Sequence, residues 1–99
     1  MRKITEEAIE AFYKRKRFKK TNTEVHVGEF TTTLRLHGNT IAILHSNDEV
    51  DITTANWNTS TTRERLNGLR GVHVSCRKGQ LTLNGSPWDG KLTRLWKTL

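Results

Sequence analysis

The residues best suited to binding chemistry form one basic segment near the N-terminus. Residues 14–20 read Lys-Arg-Lys-Arg-Phe-Lys-Lys, so six of seven side chains are cationic. The first twenty residues carry eight Lys or Arg and three Glu, a net charge of +5, which leaves only +2 for the rest of the chain. Such a local block is typical of a protein that binds a polyanion. It predicts affinity for phosphates that falls steeply with salt, because binding releases counterions.

Phe18 interrupts these cations and has two interpretations. Either Phe18 stacks on a base of a bound nucleic acid, or it packs into the core and anchors the segment that follows the first helix. The cations also have a second interpretation, as a solvated helix end that keeps the protein soluble. We predict phosphate binding, with the contacts made by Lys14, Arg15, Lys16, Arg17, Lys19 and Lys20.

A second cationic group surrounds a predicted short helix and the hairpin that follows it. These side chains form an anion pocket, or they form a surface that is salt-bridged to Glu64 and Asp89, which is the interpretation we favour. The group consists of Arg63, Arg65, Arg70, Arg77 and Lys78.

Residues 56–60, Asn-Trp-Asn-Thr-Ser, are dense in hydrogen-bonding groups. One hypothesis makes them a recognition loop in which Trp57 stacks on a base. The alternative, which we favour, is that Trp57 closes one end of the core while the polar residues build a turn and a helix cap.

Catalytic and metal-binding patterns are missing from the sequence. His26, His37 and His73 alternate out of phase with apolar neighbours and are predicted to face solvent, whereas His45 is in phase with Ile41 and Ile43. No histidine has a second ligand at zinc-type spacing. The single cysteine excludes an internal disulfide, and there is no glycine elbow or phosphate-binding glycine loop. We therefore expect no catalytic residue, no metal and no cofactor.

The length and composition indicate one domain. The 99 residues are 33% hydrophobic and 27% charged, which is typical of a globular protein with a thin core. No apolar run approaches the roughly 20 residues needed to span a bilayer, and the N-terminus has no signal-peptide pattern. The sequence predicts a soluble, intracellular protein without a membrane partner.

The first predicted element is an amphipathic helix over about residues 5–16. Thr5 is the expected N-cap, and Ala8, Ile9, Phe12 and Tyr13 share one face. Its last turn carries the start of the basic segment, where cations also suit the helix dipole.

From residue 24 the apolar period changes to two, which predicts strands with one buried face. A capping box of Thr61 and Glu64 predicts a short helix over about residues 61–69. The C-terminal tail comprises residues 91–99. Its apolar residues have helical spacing, which predicts a docking turn or an oligomer contact by Leu92, Leu95, Trp96 and Leu99. The six alternating sets are Val25/Val27, Leu34/Leu36, Ile41/Ile43, Val50/Ile52, Val72/Val74/Cys76 and Leu81/Leu83.

These elements predict an α+β fold in a single small domain, residues 1–99. Residues 1–20 contribute the N-terminal helix and its basic end. Residues 24–90 contribute a twisted antiparallel sheet of about five to six strands, with the short helix between strands four and five.

Three segments resemble a family of small uncharacterised proteins of tailed bacteriophages. They are Leu-His-Gly-Asn at 36–39, Thr-Thr-Arg-Glu-Arg-Leu-Asn-Gly-Leu at 61–69, and Leu-Asn-Gly-Ser-Pro-Trp-Asp-Gly at 83–90, and the resemblance covers about residues 22–90. It implies a phage accessory protein acting in the cytoplasm of the infected bacterial host. Such proteins often bind nucleic acid, inhibit a host enzyme or counter a defence system. No residue role is carried over from the family.

The leading hypothesis is a noncatalytic accessory protein that binds nucleic acid with low sequence specificity. One alternative is an inhibitor of an acidic host or antiphage-defence protein, with Trp57 or Trp96 as an aromatic anchor. Another is a sponge for a phosphorylated nucleotide signal, held at a subunit interface. The sequence leaves the choice between a monomer and a homo-oligomer open.

Overall fold

A computed structural model of the protein describes residues 2–95. Within these residues two helices and nine strands follow one another. In order they are α1 (Lys3–Tyr13), β1 (Phe18–Lys20), β2 (Thr23–Val27), β3 (Thr31–Leu36), β4 (Asn39–His45), β5 (Val50–Ile52), α2 (Ser60–Leu66), β6 (Val74–Arg77), β7 (Gln80–Leu83), β8 (Ser86–Pro87) and β9 (Thr93–Arg94).

The strands form two antiparallel sheets, which confirms the predicted α+β class. The larger sheet has the order β1-β2-β3-β4-β5-β9, and the smaller has the order β6-β7-β8. The six predicted alternating sets coincide with β2 to β7, except that Val72 lies before β6. Strands β1, β8 and β9 were not predicted, and β6 and β7 belong to a second sheet rather than, as predicted, to the main one.

Helix α1 begins and ends earlier than predicted. Arg2 is its N-cap, and Thr5 lies inside the helix with its side chain fully buried, so the predicted Thr5 cap is wrong. Lys14 is the C-cap, and Arg15 has a φ of 55°, in the left-handed region that ends a helix. The basic segment therefore leaves the helix instead of forming its last turn.

Helix α2 also has a different cap from the one predicted. The Thr59 hydroxyl accepts a hydrogen bond from the Thr62 backbone N–H at 3.1 Å, so Thr59 and not Thr61 caps the helix. Glu64 turns instead toward α1, where its carboxylate accepts hydrogen bonds from Thr5 and Arg65.

A β-bulge changes which residues of β4 face the core. The register with β3 shifts between Leu34 and Arg35, and both Ile41 and Ala42 are buried. Beyond the bulge Leu44 is buried, while Ile43 and His45 are only half-buried. The predicted alternation of Ile41, Ile43 and His45 on one face is therefore wrong past the bulge.

Both helices and both sheets contribute to one hydrophobic core. Its members include Phe12 of α1, Leu34 of the large sheet, Leu66 of α2 and Leu81 of the small sheet. Neither helix in residues 2–95 has the length and apolar character needed to cross a membrane.

The C-terminal residues within the described part form a strand rather than a helical turn. Thr93 and Arg94 pair with Ile52 and Asp51 of β5, which makes β9 an edge strand. Trp96 and Leu99, which belong to the predicted docking turn, lie outside the described residues.

Candidate nucleic-acid interface

The basic segment lies at the end of α1 and along the edge of the large sheet. Successive residues of a strand point to opposite sides. Accordingly, the Lys19 ammonium lies 3.8 Å from Glu24 of β2, whereas the Lys20 ammonium lies 3.6 Å from Glu7 of α1. Six cations that are adjacent in sequence thus project in several directions around one exposed edge.

Four of these cations have ion-pair partners. Lys14 lies 2.6 Å from Glu10, and Arg15 donates to Asp48 at 2.8 Å and to the His45 carbonyl at 3.0 Å. Lys16 and Arg17 have no acidic group within 4.0 Å among residues 2–95. Exposed pairs contribute only about 0–1 kcal/mol each, so a phosphate can compete for the paired cations as well.

Two carboxylates beside the segment respond to its charges. A hydrogen bond from Lys14, and then the charge of Lys14, lowers the pKa of Glu10 below its usual range. A hydrogen bond from His26 lowers the pKa of Glu24, and the charge of Lys19 adds to the effect. Both carboxylates are therefore ionised at neutral pH and offset part of the positive charge.

An open groove of about 600 Å³ runs beside β1 and β2. Its polar lining consists of Arg17, Lys19, His26 and the carboxylate of Glu24, together with part of Phe18. Phe18 pairs with Val25 and packs against the core, as the anchor interpretation requires. The groove therefore offers cations to a phosphate chain, with only the exposed part of the Phe18 ring available to a base.

The structure does not bring the second cationic group together. Arg63 donates to the Asn58 side chain at 2.6 Å, and the Arg70 guanidinium lies 4.1 Å from the centre of the Tyr13 ring. Arg77 and Lys78 are exposed at the turn between β6 and β7. An anion pocket of all five side chains is absent from the described residues.

Arg65 is the clearest departure from the predicted site. Its side chain is only 2% exposed, and it donates to Thr23 at 3.0 Å, to Thr5 at 2.8 Å and to Glu64. It therefore joins α1, α2 and β2 inside the molecule, where it is not accessible to an anion.

Trp57 is on the surface and does not close the core, contrary to the favoured interpretation. It is 61% exposed and follows two residues with left-handed backbone, Ala55 at φ 53° and Asn56 at φ 66°. Left-handed backbone is strained for alanine. A cavity of about 480 Å³ opens beside the Trp57 ring. The sequence offered one signal for this feature, the run of polar residues around Trp57.

The clustered acidic residues are engaged in ion pairs. Asp51 is buried, with its carboxylate 2.8 Å from His45 Nε2 and 2.5 Å from Arg94 Nε. Arg94 also pairs with Glu49, and Arg15 pairs with Asp48. No group of three or more potential metal ligands occurs within residues 2–95.

Comparison with known proteins places the chain among phage proteins. The model of the Kyanoviridae Gp96 protein family matches residues 1–94, which confirms the resemblance seen in the sequence. No curated protein and no solved structure matches the chain.

Proposed function

The chain belongs to the Kyanoviridae Gp96 protein family, a family of phage proteins, and on that premise we propose that it is a noncatalytic accessory protein that binds nucleic acid. Binding takes place in the cytoplasm of the infected bacterium and has low sequence specificity. The observation that carries the proposal is the exposed basic edge, six cations within residues 14–20 at the end of α1 and along β1.

The chemistry of this edge favours phosphates over base edges. Lys16, Arg17 and Lys19 are exposed cations, and Arg17 and Lys19 line the open groove, where they can contact a phosphate chain. Contacts to phosphates position a nucleic acid but carry no direct sequence information. Low specificity follows from the kind of contact.

The direct test measures the affinity for single-stranded DNA, duplex DNA and RNA by fluorescence anisotropy at about 50 and 200 mM salt. Six or more phosphate contacts would weaken binding by about a thousandfold over that range. The variant K16Q/R17Q/K19Q removes three cations that have no buried contacts. It should bind more weakly and show a shallower salt dependence.

The matched control is R2Q/K3Q/K91Q, which removes the same number of exposed cations from outside both predicted groups. Equal losses in the two triple variants would show that only net charge matters and would contradict a defined basic edge. Absence of binding by the wild type at 50 mM salt would overturn the proposal.

Glu10 supplies a second readout of the same edge. If a phosphate takes Lys14 from Glu10, the pKa of Glu10 should rise toward its ordinary value when DNA is added. An NMR titration of the side-chain carboxyl, with and without DNA, measures this shift. A Glu10 pKa that DNA leaves unchanged would place the bound strand away from Lys14.

An inhibitor of an acidic host or defence protein is the second candidate, because Trp57 is an exposed aromatic side chain of the kind that anchors protein interfaces. It predicts capture of one discrete host protein from a nuclease-treated lysate, with the capture lost in W57A. Retention of that protein only without nuclease treatment would favour nucleic-acid binding instead.

A further inference from the structure

The Trp57 cavity lies between the β3–β4 turn and the loop that leads into α2. Leu36 and Ile41 give it an apolar lining, and His37, Asn39 and Thr61 place polar side chains around it, with Trp57 at its side. Its volume of about 480 Å³ falls in the range of small-molecule sites, about 300–1,000 Å³.

The lining chemistry suits a flat, neutral, hydrogen-bonding ring. Trp57 offers a largely exposed aromatic face for stacking. The side chains of His37, Asn39 and Thr61 have no hydrogen-bond partner within residues 2–95, so they are available to polar edges of a ligand. Among residues 2–95, no Asp, Glu, Lys or Arg lines the cavity, so none of these residues offers a charged phosphate a partner inside it.

Backbone and side-chain hydrogen bonds anchor the loop that carries Trp57. The Gly90 carbonyl accepts hydrogen bonds from the Thr54 backbone N–H at 2.9 Å and from the Thr53 hydroxyl at 2.8 Å. The Trp57 backbone N–H donates to the Thr54 carbonyl at 2.9 Å. This anchoring supports the strained backbone at Ala55 and Asn56, which turns the Trp57 ring toward solvent and the cavity.

The cavity is close to the end of the basic edge. In the sheet Lys20 pairs with Thr23, and Thr23 pairs with Leu36, which lines the cavity. The backbones of Lys20 and Leu36 are therefore two strand spacings apart, about 10 Å. The His37 backbone N–H donates to the Asn22 carbonyl at 2.8 Å, which connects the β3–β4 turn to the β1–β2 turn. A phosphate held at Lys20 therefore lies within reach of a base in the cavity.

We propose that the Trp57 cavity binds a nucleobase, which stacks on Trp57 while its phosphate lies outside the cavity toward Lys20. The proposal rests on the proposed function for its preferred source, an unpaired base of single-stranded nucleic acid. A free mononucleotide presents the same base and phosphate, so the test must separate the two sources.

The test compares decamers of thymidine and of adenosine with an abasic decamer of the same length, by anisotropy. Base–aromatic stacking predicts that W57A loses about 5- to 150-fold in affinity for the normal decamers. W57A should bind the abasic decamer as tightly as the wild type does. Its salt dependence should be unchanged, because no phosphate contact is removed. W57F should recover part of the lost affinity.

F30A is the matched control. Phe30 is 71% exposed, and it precedes β3, at the opposite end of that strand from the cavity. F30A should bind all decamers as the wild type does. T61A removes a hydroxyl of the lining without touching the ring, and it should weaken binding of the normal decamers only.

Calorimetry with AMP and thymidine monophosphate separates the sources. Salt-dependent decamer binding that W57A does not weaken would overturn the cavity proposal and leave the proposed function standing. Mononucleotide binding that is lost in W57A, without decamer binding, would support the cavity and overturn the proposed function. Binding of neither kind of ligand would overturn both.

Discussion

At the residue scale, Arg65 shows how a cation can be structural in a basic protein. Its guanidinium donates to hydroxyls of Thr5 and Thr23 and pairs with Glu64 in the interior. One oxygen of Glu64, Oε2, is buried without a hydrogen-bond partner among the described residues. Hydrogen bonds therefore compensate the charge of Glu64 only in part. Without Arg65, the Glu64 carboxylate would keep only the hydrogen bond from Thr5.

We expect R65A to destabilise the protein by about 3 kcal/mol, because breaking a buried ion pair leaves an uncompensated charge. Urea unfolding followed by circular dichroism measures the loss. R77A, which removes an exposed arginine from the β6–β7 turn, should change stability by less than about 0.5 kcal/mol. Similar unfolding midpoints for R65A and the wild type would contradict a structural role for the buried guanidinium.

At the element scale, the contact between the two helices depends on a residue without a side chain. Gly68 comes directly after Asn67, the C-cap of α2, and a Cβ there would lie 2.8 Å from both Thr5 Cγ2 and Ile9 Cγ1 of α1. Thr5 is fully buried and bonded to Glu64 and Arg65, so it has little freedom to move. The close approach of the segment after α2 to α1 therefore requires glycine at this position.

G68A should destabilise the protein by about 1–2 kcal/mol through overpacking against α1. Gly68 does not have the left-handed backbone that disfavours alanine, so the cost comes from the contact alone. S60A, at the exposed start of α2, is the control and should stay within about 0.5 kcal/mol of the wild type. The melting temperatures of the two variants and the wild type measure this cost. A higher melting temperature for G68A would show that the helices can separate freely.

At the scale of the whole molecule, two sheets share one core, so they should unfold together. Leu81 of the small sheet and Leu34 of the large sheet belong to the same hydrophobic cluster. Trp88, which follows β8, packs against this cluster, and its indole N–H donates to Thr93 of the large sheet at 2.8 Å. The small sheet is therefore attached by packing and by a direct hydrogen bond.

A variant with W57F and W96F keeps Trp88 as its only tryptophan and reports on the small sheet. Its fluorescence and the far-UV circular dichroism should give the same urea midpoint, as expected for one cooperative transition. Addition of L81A should lower both midpoints together, by about 2–4 kcal/mol in unfolding free energy. A fluorescence change at lower urea than the change in circular dichroism would mean that the small sheet unfolds by itself.

Charge distribution is also a property of the whole molecule. Residues 14–20 are contiguous in sequence, yet Lys19 and Lys20 project to opposite sides of β1, and Arg15 reaches Asp48 in the β4–β5 turn. The basic edge is therefore a rim of cations rather than a flat patch. β1 is also an edge strand, where lysines discourage pairing with another chain. This second role of the lysines is compatible with phosphate binding.

The sequence by itself determined the local elements and the phage origin. Alternation with period two identified β2 to β7, because most of these strands bury one face, although all three residues of β5 are buried. Helical spacing located α1 and a capping pattern located α2, each to within a few residues, and three short segments carried the family resemblance. These features depend on neighbours within a few positions, so they can be recognised in a single chain.

Only the tertiary structure decided which polar residues are buried and which aromatic ring is free. Buried Arg65 finds an acceptor in Thr5, sixty positions away, and the loop that carries the exposed Trp57 is hydrogen-bonded to Gly90. The bulge at Ile41 turned His45 away from its predicted face. Burial depends on contacts between residues far apart in the chain, and no local period or charge count contains that information.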